Sequence, residues 1–336
     1  MSKCSRNCIA GCRNAAQAGY THQMLRNIAK LLAKSESTRY LLTAAVCLRR
    51  GSRLRRDNGT LLICNGERRV RIARKHLVYA ADIAAHFDTY FTQAESDGRE
   101  VDYSRPRLHT LANGLQFELS SLPEEMPATD GYFRFFRPAP GDTVFDIGAY
   151  CGVFTYMLSQ AVDPAGRVIA FEPDPVNREV LQRNIARHGL GNVTVVPAAV
   201  SDKDGDASFS AEGALGSALV GCIDRDVSVS SGSVPTMSLE TAAQRFGVPS
   251  FIKIDAEGAE IEILSGASGF LCQHNIAFAL DTNHMRGGEL TAGRIESIFA
   301  ACGYHAESLA NPFMTTWAHI EPHGQLATVP KLQPFR

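Results

Sequence analysis

From about residue 132 onward, short apolar stretches alternate with stretches of helical periodicity, and this alternation constrains the fold more than any other feature. The apolar stretches are "DTVFDIG", "RVIAFEP", "VTVVPAAV", "SFIKIDAEG" and "IAFALDTN". Between the second and the third, "PVNREVLQRNIARHG" predicts a helix whose apolar face consists of Val176, Val180, Leu181 and Ile185. Gly189 is suited to the C-terminal cap of that helix. Nearly continuous apolar strands separated by helices indicate an α/β, Rossmann-like domain with a mostly parallel sheet and helices on both faces.

The sequence ahead of this domain has a different pattern of apolar residues. Residues 17–56 have helical periodicity, carried by Leu25, Ile28, Leu31 and Leu32. Strand-like runs lie on both sides of Asn65-Gly66 and on both sides of Asn113-Gly114. We therefore predict two hairpins, the first with a type I′ turn. We therefore predict a basic, partly helical segment at 1–56, a small α+β accessory domain at 57–130, the α/β domain at 131–325 and a tail at 326–336.

Charge is unevenly distributed along the chain. Residues 1–56 carry twelve Lys or Arg and one acid, Glu36, whereas the remainder carries 22 basic and 34 acidic residues. The basic arm could contact an anionic partner, or it could be a solvated lead-in or an organelle-targeting segment, and the sequence leaves these alternatives open.

Cysteine usage and hydropathy favour a cytoplasmic protein. The nine cysteines read as reduced thiols, and we find no secretory leader and no apolar run near the ~20 residues that span a bilayer. Cys4, Cys8 and Cys12 are evenly spaced and could face one side of a helix, but without a nearby fourth ligand they are a weak metal or cluster motif. The sequence does not indicate the oligomeric state.

Polar residues follow the predicted strands, and in parallel sheets ligands bind beyond the carboxyl ends of the strands. The first strand ends in Asp146 and a turn with Gly148 and Gly152, and the second ends in Glu172. The remaining strand ends supply Ala198, Ala199, Asp255, Glu257, Asp281, Asn283 and His284.

A glycine turn followed by a strand-end carboxylate fits either a dinucleotide or S-adenosylmethionine. Glu172 could accept the hydrogens of both ribose hydroxyls of either ligand. The dinucleotide fingerprint needs G-x-G-x-x-G for close approach of a pyrophosphate, and Tyr150 stands where its second glycine would be. This favours S-adenosylmethionine and leaves an NAD-dependent oxidoreductase as a weaker alternative.

Four stretches resemble the FkbM-type methyltransferases, within the class I S-adenosylmethionine-dependent fold. They are "GDTVFDIGAYCGVFT", "GRVIAFEPDPVNREVLQRNI", "NVTVVPAAVSDKDG" and "VPTMSLETAAQRFGVPSFIKIDAEGAEIEILSGA". The resemblance covers about 140–284, weakens towards 320 and is absent over 1–125. The family usually has Asn at the position of Tyr150.

The resemblance implies a role for each matching residue. Asp146, Gly148 and Gly152 would line the methionine part of the cofactor, Glu172 would hold the ribose, Ala199 would lie near the adenine, and Asp255 would lie by the reacting methyl group. The complete predicted cofactor set is Asp146, Gly148, Ala149, Tyr150, Gly152, Glu172, Pro173, Ala199 and Asp255.

The expected activity is O-methylation of a small-molecule or sugar-containing acceptor, with a non-catalytic binding module as the alternative. A hydroxyl must lose its proton to react, so a base is needed close by, and the candidates are Asp255, Glu257, Asp281 and His284. Asp255, Asp281 and Asn283 also offer three oxygen ligands suited to Mg²⁺. Lys253 should lie on the same strand face as Asp255 and pair with a carboxylate beneath the site.

Overall fold

The structure is a computed structural model. It describes residues 36–91, 99–111, 114–122, 131–224, 231–310 and 314–320. The cysteines at 4, 8 and 12, most of the basic arm and the tail at 326–336 lie outside these residues. No helix in the described ranges is long and apolar enough to cross a membrane.

The accessory region is a helix packed on a four-stranded sheet. Helix α1 is Glu36–Arg49, and the sheet has the order β1-β2-β3-β4. Its strands are β1 (Arg53–Asp57), β2 (Thr60–Asn65), β3 (Arg68–Ala73) and β4 (Glu100–Tyr103). A 3₁₀-helix (Arg74–Tyr79) and the short helices α2 (Ala80–Ala85) and α3 (Phe87–Tyr90) cover one side. Buried Cys47, Ile63 and Ile72 belong to the core between these layers.

Two local predictions for this region need correction. The helix predicted up to residue 56 ends at Arg49, because Gly51 (φ 75°) closes it with bonds from Gly51 N–H to Leu48 O and from Ser52 N–H to Cys47 O. The chain then continues as strand β1, so the accessory sheet begins ahead of residue 57.

The hairpin near Asn65 is confirmed, but Asn65 pairs with Arg68, so the central turn residues are Gly66 and Glu67. The turn with two positive φ angles is at Asn58 (43°) and Gly59 (79°), between β1 and β2.

A second hairpin leads into the α/β domain. Strands β5 (Arg107–Thr110) and β6 (Gln116–Leu119) pair in antiparallel fashion, as predicted around residues 113–114. This hairpin packs against the α/β domain, since Glu118 forms an ion pair with Arg183.

The α/β domain contains a seven-stranded sheet of the predicted kind. Its strands are β7 (Thr143–Ile147), β8 (Arg167–Phe171), β9 (Val193–Val196), β14 (Phe251–Ile254), β15 (Ala277–Asp281), β18 (His305–Ala310) and β19 (Met314–His319). They lie in the order β18-β19-β15-β14-β7-β8-β9. Adjacent strands from β15 to β9 are parallel, whereas β19 is antiparallel to both of its neighbours.

Helices and a smaller sheet surround these strands. The helices are α4 (Val153–Val162), α5 (Pro175–His188), α6 (Leu239–Phe246), α7 (Glu260–Gly266), α8 (Ser268–Leu271) and α9 (Ala292–Ala301). The smaller sheet comprises β10 (Ala199–Ser201), β11 (Gly205–Ser210), β12 (Ala218–Leu219) and β13 (Ser231–Ser238). A short hairpin, β16 (Met285–Arg286) with β17 (Glu289–Leu290), follows β15. As predicted, Gly189 (φ 62°) caps α5.

The strand order determines where a ligand can bind. The chain proceeds from β7 to β8 on one side and returns to β14 on the other, so the strand order reverses between β7 and β14. Connections diverge at such a switch point and leave a crevice outside the carboxyl ends. The site is therefore expected beyond Ile147 and Ile254.

Candidate active site

A cleft lies at this switch point. It is lined by six residues of the predicted cofactor set: Gly148, Tyr150, Glu172, Pro173, Ala199 and Asp255. Glu257, a predicted catalytic residue, lines it as well. The structure thus brings the ends of three strands together around one cleft.

Glu172 is held by the backbone on both sides. The N–H of Tyr150 donates to Oε2 at 2.7 Å, and the N–H of Asp174 donates to Oε1 at 2.9 Å. A carboxylate offers about four acceptor positions, so these bonds leave roughly two, on a side chain that lines the cleft. Burial raises the pKa of Glu172 to about 8.

Tyr150 does not fill the cleft with its ring. Its hydroxyl donates to Leu122 O at 2.6 Å and accepts from Ser121 N–H at 3.3 Å, so the ring points towards the accessory region. Its φ of 50° is left-handed, a conformation in which Asn is more common than Tyr. The buried hydroxyl contacts accompany this backbone conformation and stabilise the turn.

Gly148 is required by the fold as well as by any ligand. A Cβ at this position would lie 1.8 Å from the carbonyl oxygen of Asp255, and the φ of 74° is also unfavourable for a side chain. The ends of β7 and β14 therefore approach each other more closely than any other residue type at 148 would allow.

Three predicted cofactor residues, Asp146, Ala149 and Gly152, lie outside the cleft lining. Asp146 is fully buried beneath the turn, where Oδ2 accepts from the Thr155 hydroxyl at 2.6 Å and Oδ1 lies 3.4 Å from Lys253 Nζ. The Lys253 pairing is as predicted. Ala149 is buried with its N–H on Phe171 O, and Gly152 is the N-cap of α4. These three support the turn from below.

The end of the cleft that Asp255 and Glu257 line, called the acceptor end below, is acidic, and the imidazole of His284 lies behind it. His284 Nδ1 lies 3.1 Å from Glu260 Oε1, and its Nε2 lies 3.7 Å from Glu257 Oε2 and 4.0 Å from Asp255 Oδ1. Burial lowers the pKa of His284, but the surrounding carboxylates outweigh burial and raise it well above 6.5. A histidine that holds its proton at neutral pH is a poor base, so the geometry favours the carboxylates for that role.

Of the predicted oxygen ligands, Asp281 and Asn283 lie at the end of β15, the strand that pairs with β14 ahead of Asp255. Asn283 is exposed and donates its backbone N–H to Asp281 Oδ1 at 2.8 Å. Burial raises the pKa of Asp281 to about 7. Among the His, Cys, Asp and Glu side chains in the described part of the chain, Asp255, Glu257 and His284 form a group whose ligand atoms all lie within 4.8 Å of one another.

One wall of the cleft is formed by residues of the stretch 205–234, which the sequence predicts to grip the acceptor. Phe209, Leu215, Ser217, Ala218 and Leu219 line it, although no motif marks the stretch that contains them. Asp174 holds this wall in place, since its Oδ2 accepts from Gly213 N–H at 2.9 Å and from the Ser217 hydroxyl at 2.6 Å. The one available signal was Asp174 ahead of Pro175, a combination typical of a helix N-terminus.

Comparison with known proteins gives a family match over the same region. The model of the methyltransferase FkbM domain matches residues 146–306. Hexuronic acid methyltransferase AglP of Haloferax volcanii is 30% identical over 140 residues, which are 39% of this chain and 52% of that protein. The 31-O-demethyl-FK506 methyltransferase FkbM of Streptomyces tacrolimicus is 42% identical over 66 residues, 20% of this chain and 25% of that protein. The chain thus spans about half or less of the length of these relatives.

Solved structures give weaker similarities. A methyltransferase FkbM from Methylobacillus flagellatus aligns with a TM-score of 0.41 and 20% identity, covering 57% of this chain and 48% of that one. The O-methyltransferase TomG from Streptomyces achromogenes, solved with S-adenosylmethionine, aligns with a TM-score of 0.39 and 14% identity, covering 60% and 83%.

Proposed function

Because residues 146–306 match the model of the methyltransferase FkbM domain, we propose that this chain transfers a methyl group from S-adenosylmethionine to an oxygen of a small-molecule or sugar-containing acceptor. Two relatives support this acceptor class by name, one being a hexuronic acid methyltransferase and the other acting on 31-O-demethyl-FK506. A cytoplasmic location stays a prediction.

Glu172 is the observation that carries the cofactor assignment. It lies in the cleft at the switch point, is fixed by two backbone N–H donors, and retains acceptor capacity for two hydroxyls. The hydroxyls of a ribose are a pair of this kind. Small Ala198 and Ala199 line the same cleft and leave room for a flat adenine ring.

The acceptor end supplies the groups that the chemistry needs. In the proposed reaction the S–CH₃ bond breaks as the new C–O bond forms, and the sulfonium becomes a neutral thioether. The hydroxyl proton passes to a carboxylate, for which Asp255 and Glu257 are in position because both line the cleft. His284 lies behind them, with its Nε2 3.7 Å from Glu257 Oε2.

Ligand-dependent stability tests the proposal directly. S-Adenosylmethionine or S-adenosylhomocysteine at 100 times its dissociation constant should add about 2.7 kcal/mol to the free energy of unfolding, measured by thermal shift. NAD should add nothing. Stabilisation by NAD alone would overturn the proposal, and binding of the methyl donor without turnover on a panel of hydroxyl acceptors would favour the non-catalytic module.

Replacing Glu172 tests the ribose contact. We expect Glu172→Ala to raise the dissociation constant for S-adenosylhomocysteine at least about tenfold, because two hydrogen bonds to the ligand are lost. Isothermal titration calorimetry measures the change. Glu179→Ala, on the exposed side of α5, is the matched control and should bind normally. Equal affinity in both variants would remove Glu172 from the ribose role.

A further inference from the structure

We propose that Asp255, Glu257 and His284 form a site for a divalent first-row transition ion at the acceptor end of the cleft. The proposal rests on the proposed function for its meaning, because the ion would hold an acceptor oxygen next to the methyl donor. The site itself stands on the geometry of these three side chains.

The three ligand atoms lie within 4.8 Å of one another, somewhat farther apart than around a bound ion. An ion with bonds of about 2.1 Å places neighbouring ligand atoms roughly 3 to 3.5 Å apart. His284 Nε2 lies 3.7 Å from Glu257 Oε2 and 4.0 Å from Asp255 Oδ1. Both separations exceed hydrogen-bond length, yet movements of less than about 1 Å would bring all three atoms to one ion.

A buried carboxylate lies beside the ring nitrogen of His284 that does not face Asp255 and Glu257. The imidazole is 9% exposed, and Nδ1 faces the fully buried carboxylate of Glu260 at 3.1 Å. A carboxylate beside one ring nitrogen orients the ring, and a metal ion that displaces the proton from the other nitrogen binds there. Glu260 is itself held, since Oε1 accepts from Ala256 N–H at 3.0 Å and from Gly258 N–H at 3.1 Å.

The ligand types indicate the class of ion. Two carboxylates with one imidazole suit Mn²⁺, Fe²⁺ or Zn²⁺ better than Mg²⁺, which prefers oxygen ligands alone. Asp255 and Glu257 also line the cofactor cleft, so the coordination positions left open by the protein face the place where an acceptor would enter. An oxygen-rich acceptor can supply the missing ligands.

Mn²⁺ is the probe of choice because it has little affinity for the thiols elsewhere in the chain. Electron paramagnetic resonance should detect one bound Mn²⁺ per full-length chain, and calorimetry should give its dissociation constant. We expect Glu257→Gln and His284→Ala each to weaken Mn²⁺ binding at least about tenfold.

The control addresses adventitious binding by another histidine pair. His305 and His319 face each other on β18 and β19, with ring centroids 5.6 Å apart. His305→Ala should leave Mn²⁺ affinity unchanged if the proposed site is correct. Binding lost in His305→Ala but retained in Glu257→Gln would overturn the proposal.

Binding of S-adenosylhomocysteine separates this proposal from the proposed function. Each variant should still bind it, which shows that the fold is intact. A wild-type chain that binds S-adenosylhomocysteine but no Mn²⁺ at millimolar concentration would overturn the metal site alone. A chain that binds Mn²⁺ at these residues but neither form of the methyl donor would overturn the methyltransferase assignment alone.

Discussion

Burial raises the pKa of the Glu172 carboxyl from its ordinary 4.5 to about 8, against the opposing effect of the backbone N–H groups of Asp174 and Tyr150. The unfolded chain releases this proton near pH 4.5 and the folded chain near pH 8, so the folded state holds more protons between these values. The contribution of Glu172 to the free energy of unfolding therefore falls as pH rises from 4.5 to 8. A side chain that costs stability at neutral pH in this way is typical of a binding site.

The same pKa predicts a pH dependence of ligand binding. We expect the affinity for an uncharged 5′-thioadenosine ligand, which has both ribose hydroxyls but no titrating amine, to rise about tenfold or more between pH 6.5 and 8.5. The physical reason is that only the ionised carboxylate accepts two hydroxyl hydrogens. Calorimetry across this range measures the profile.

Glu172→Ala provides the comparison for this profile. Its residual affinity should be nearly independent of pH, since the titrating group is gone. If the wild-type profile were equally flat, the ribose would not be bound by Glu172 in its ionised form.

At the scale of elements, the turn after β7 and the end of β14 form one closely packed unit. Asp255 N–H donates to Ile147 O at 3.0 Å, Lys253 Nζ donates to Gly148 O at 2.7 Å, and Gly148 leaves no room for a Cβ beneath Asp255. The residue predicted beside the methyl group is therefore positioned by the glycine predicted beside the methionine end.

Gly148→Ala tests this packing against a matched glycine. Gly141 also has a positive φ, 91°, but a Cβ there meets no atom within 4 Å. We expect Gly141→Ala to lower the free energy of unfolding by about 1–2 kcal/mol, the cost of the left-handed backbone. Gly148→Ala should cost clearly more, because a backbone clash is added, and should also lose binding of S-adenosylhomocysteine. Urea denaturation gives both values, and equal losses would show that the close approach is not required.

Elements were predictable where the signal is local. The apolar strands, helix α5 with its Gly189 cap and the strand-end carboxylates follow from patterns within a few residues, and the structure has them as expected. The end of α1 was mispredicted although Gly51 was a usable stop signal, and Asn58-Gly59 was overlooked as a turn. The burial of Asp146 was not predictable, because it depends on Thr155 and on Lys253, which is distant in sequence.

At the scale of the whole molecule, the accessory region is joined to the cofactor cleft. The hydroxyl of Tyr150 bonds to Leu122, which is part of the accessory core, and Ser121 Oγ lies 2.9 Å from Nδ1 of buried His76. Leu215 lines the cleft and also packs against that core. No sequence motif predicts these contacts, since each of them joins segments that are far apart along the chain.

Tyr150→Phe tests this connection. Loss of the hydroxyl leaves the buried Leu122 carbonyl without this donor, so we expect the free energy of unfolding to fall by about 1–3 kcal/mol. Binding of S-adenosylhomocysteine should change little, because the backbone N–H of residue 150 still reaches Glu172. Tyr156→Phe, a half-buried tyrosine on α4, is the control and should stay within about 0.5 kcal/mol of wild type. An equally small effect at Tyr150 would mean that the hydroxyl contacts do not join the two regions.

The glycine at position 148 also bears on how proteins with this site diversify. The backbone of the turn after β7 packs directly against the carbonyl of Asp255. The base of the cleft is therefore rigid, since tightly packed backbone does not shift by small steps. Selection for a different ligand would then act on the surrounding walls, such as the residues of the stretch 205–224 that line the cleft. The junction of β7 and β14 would be inherited unchanged.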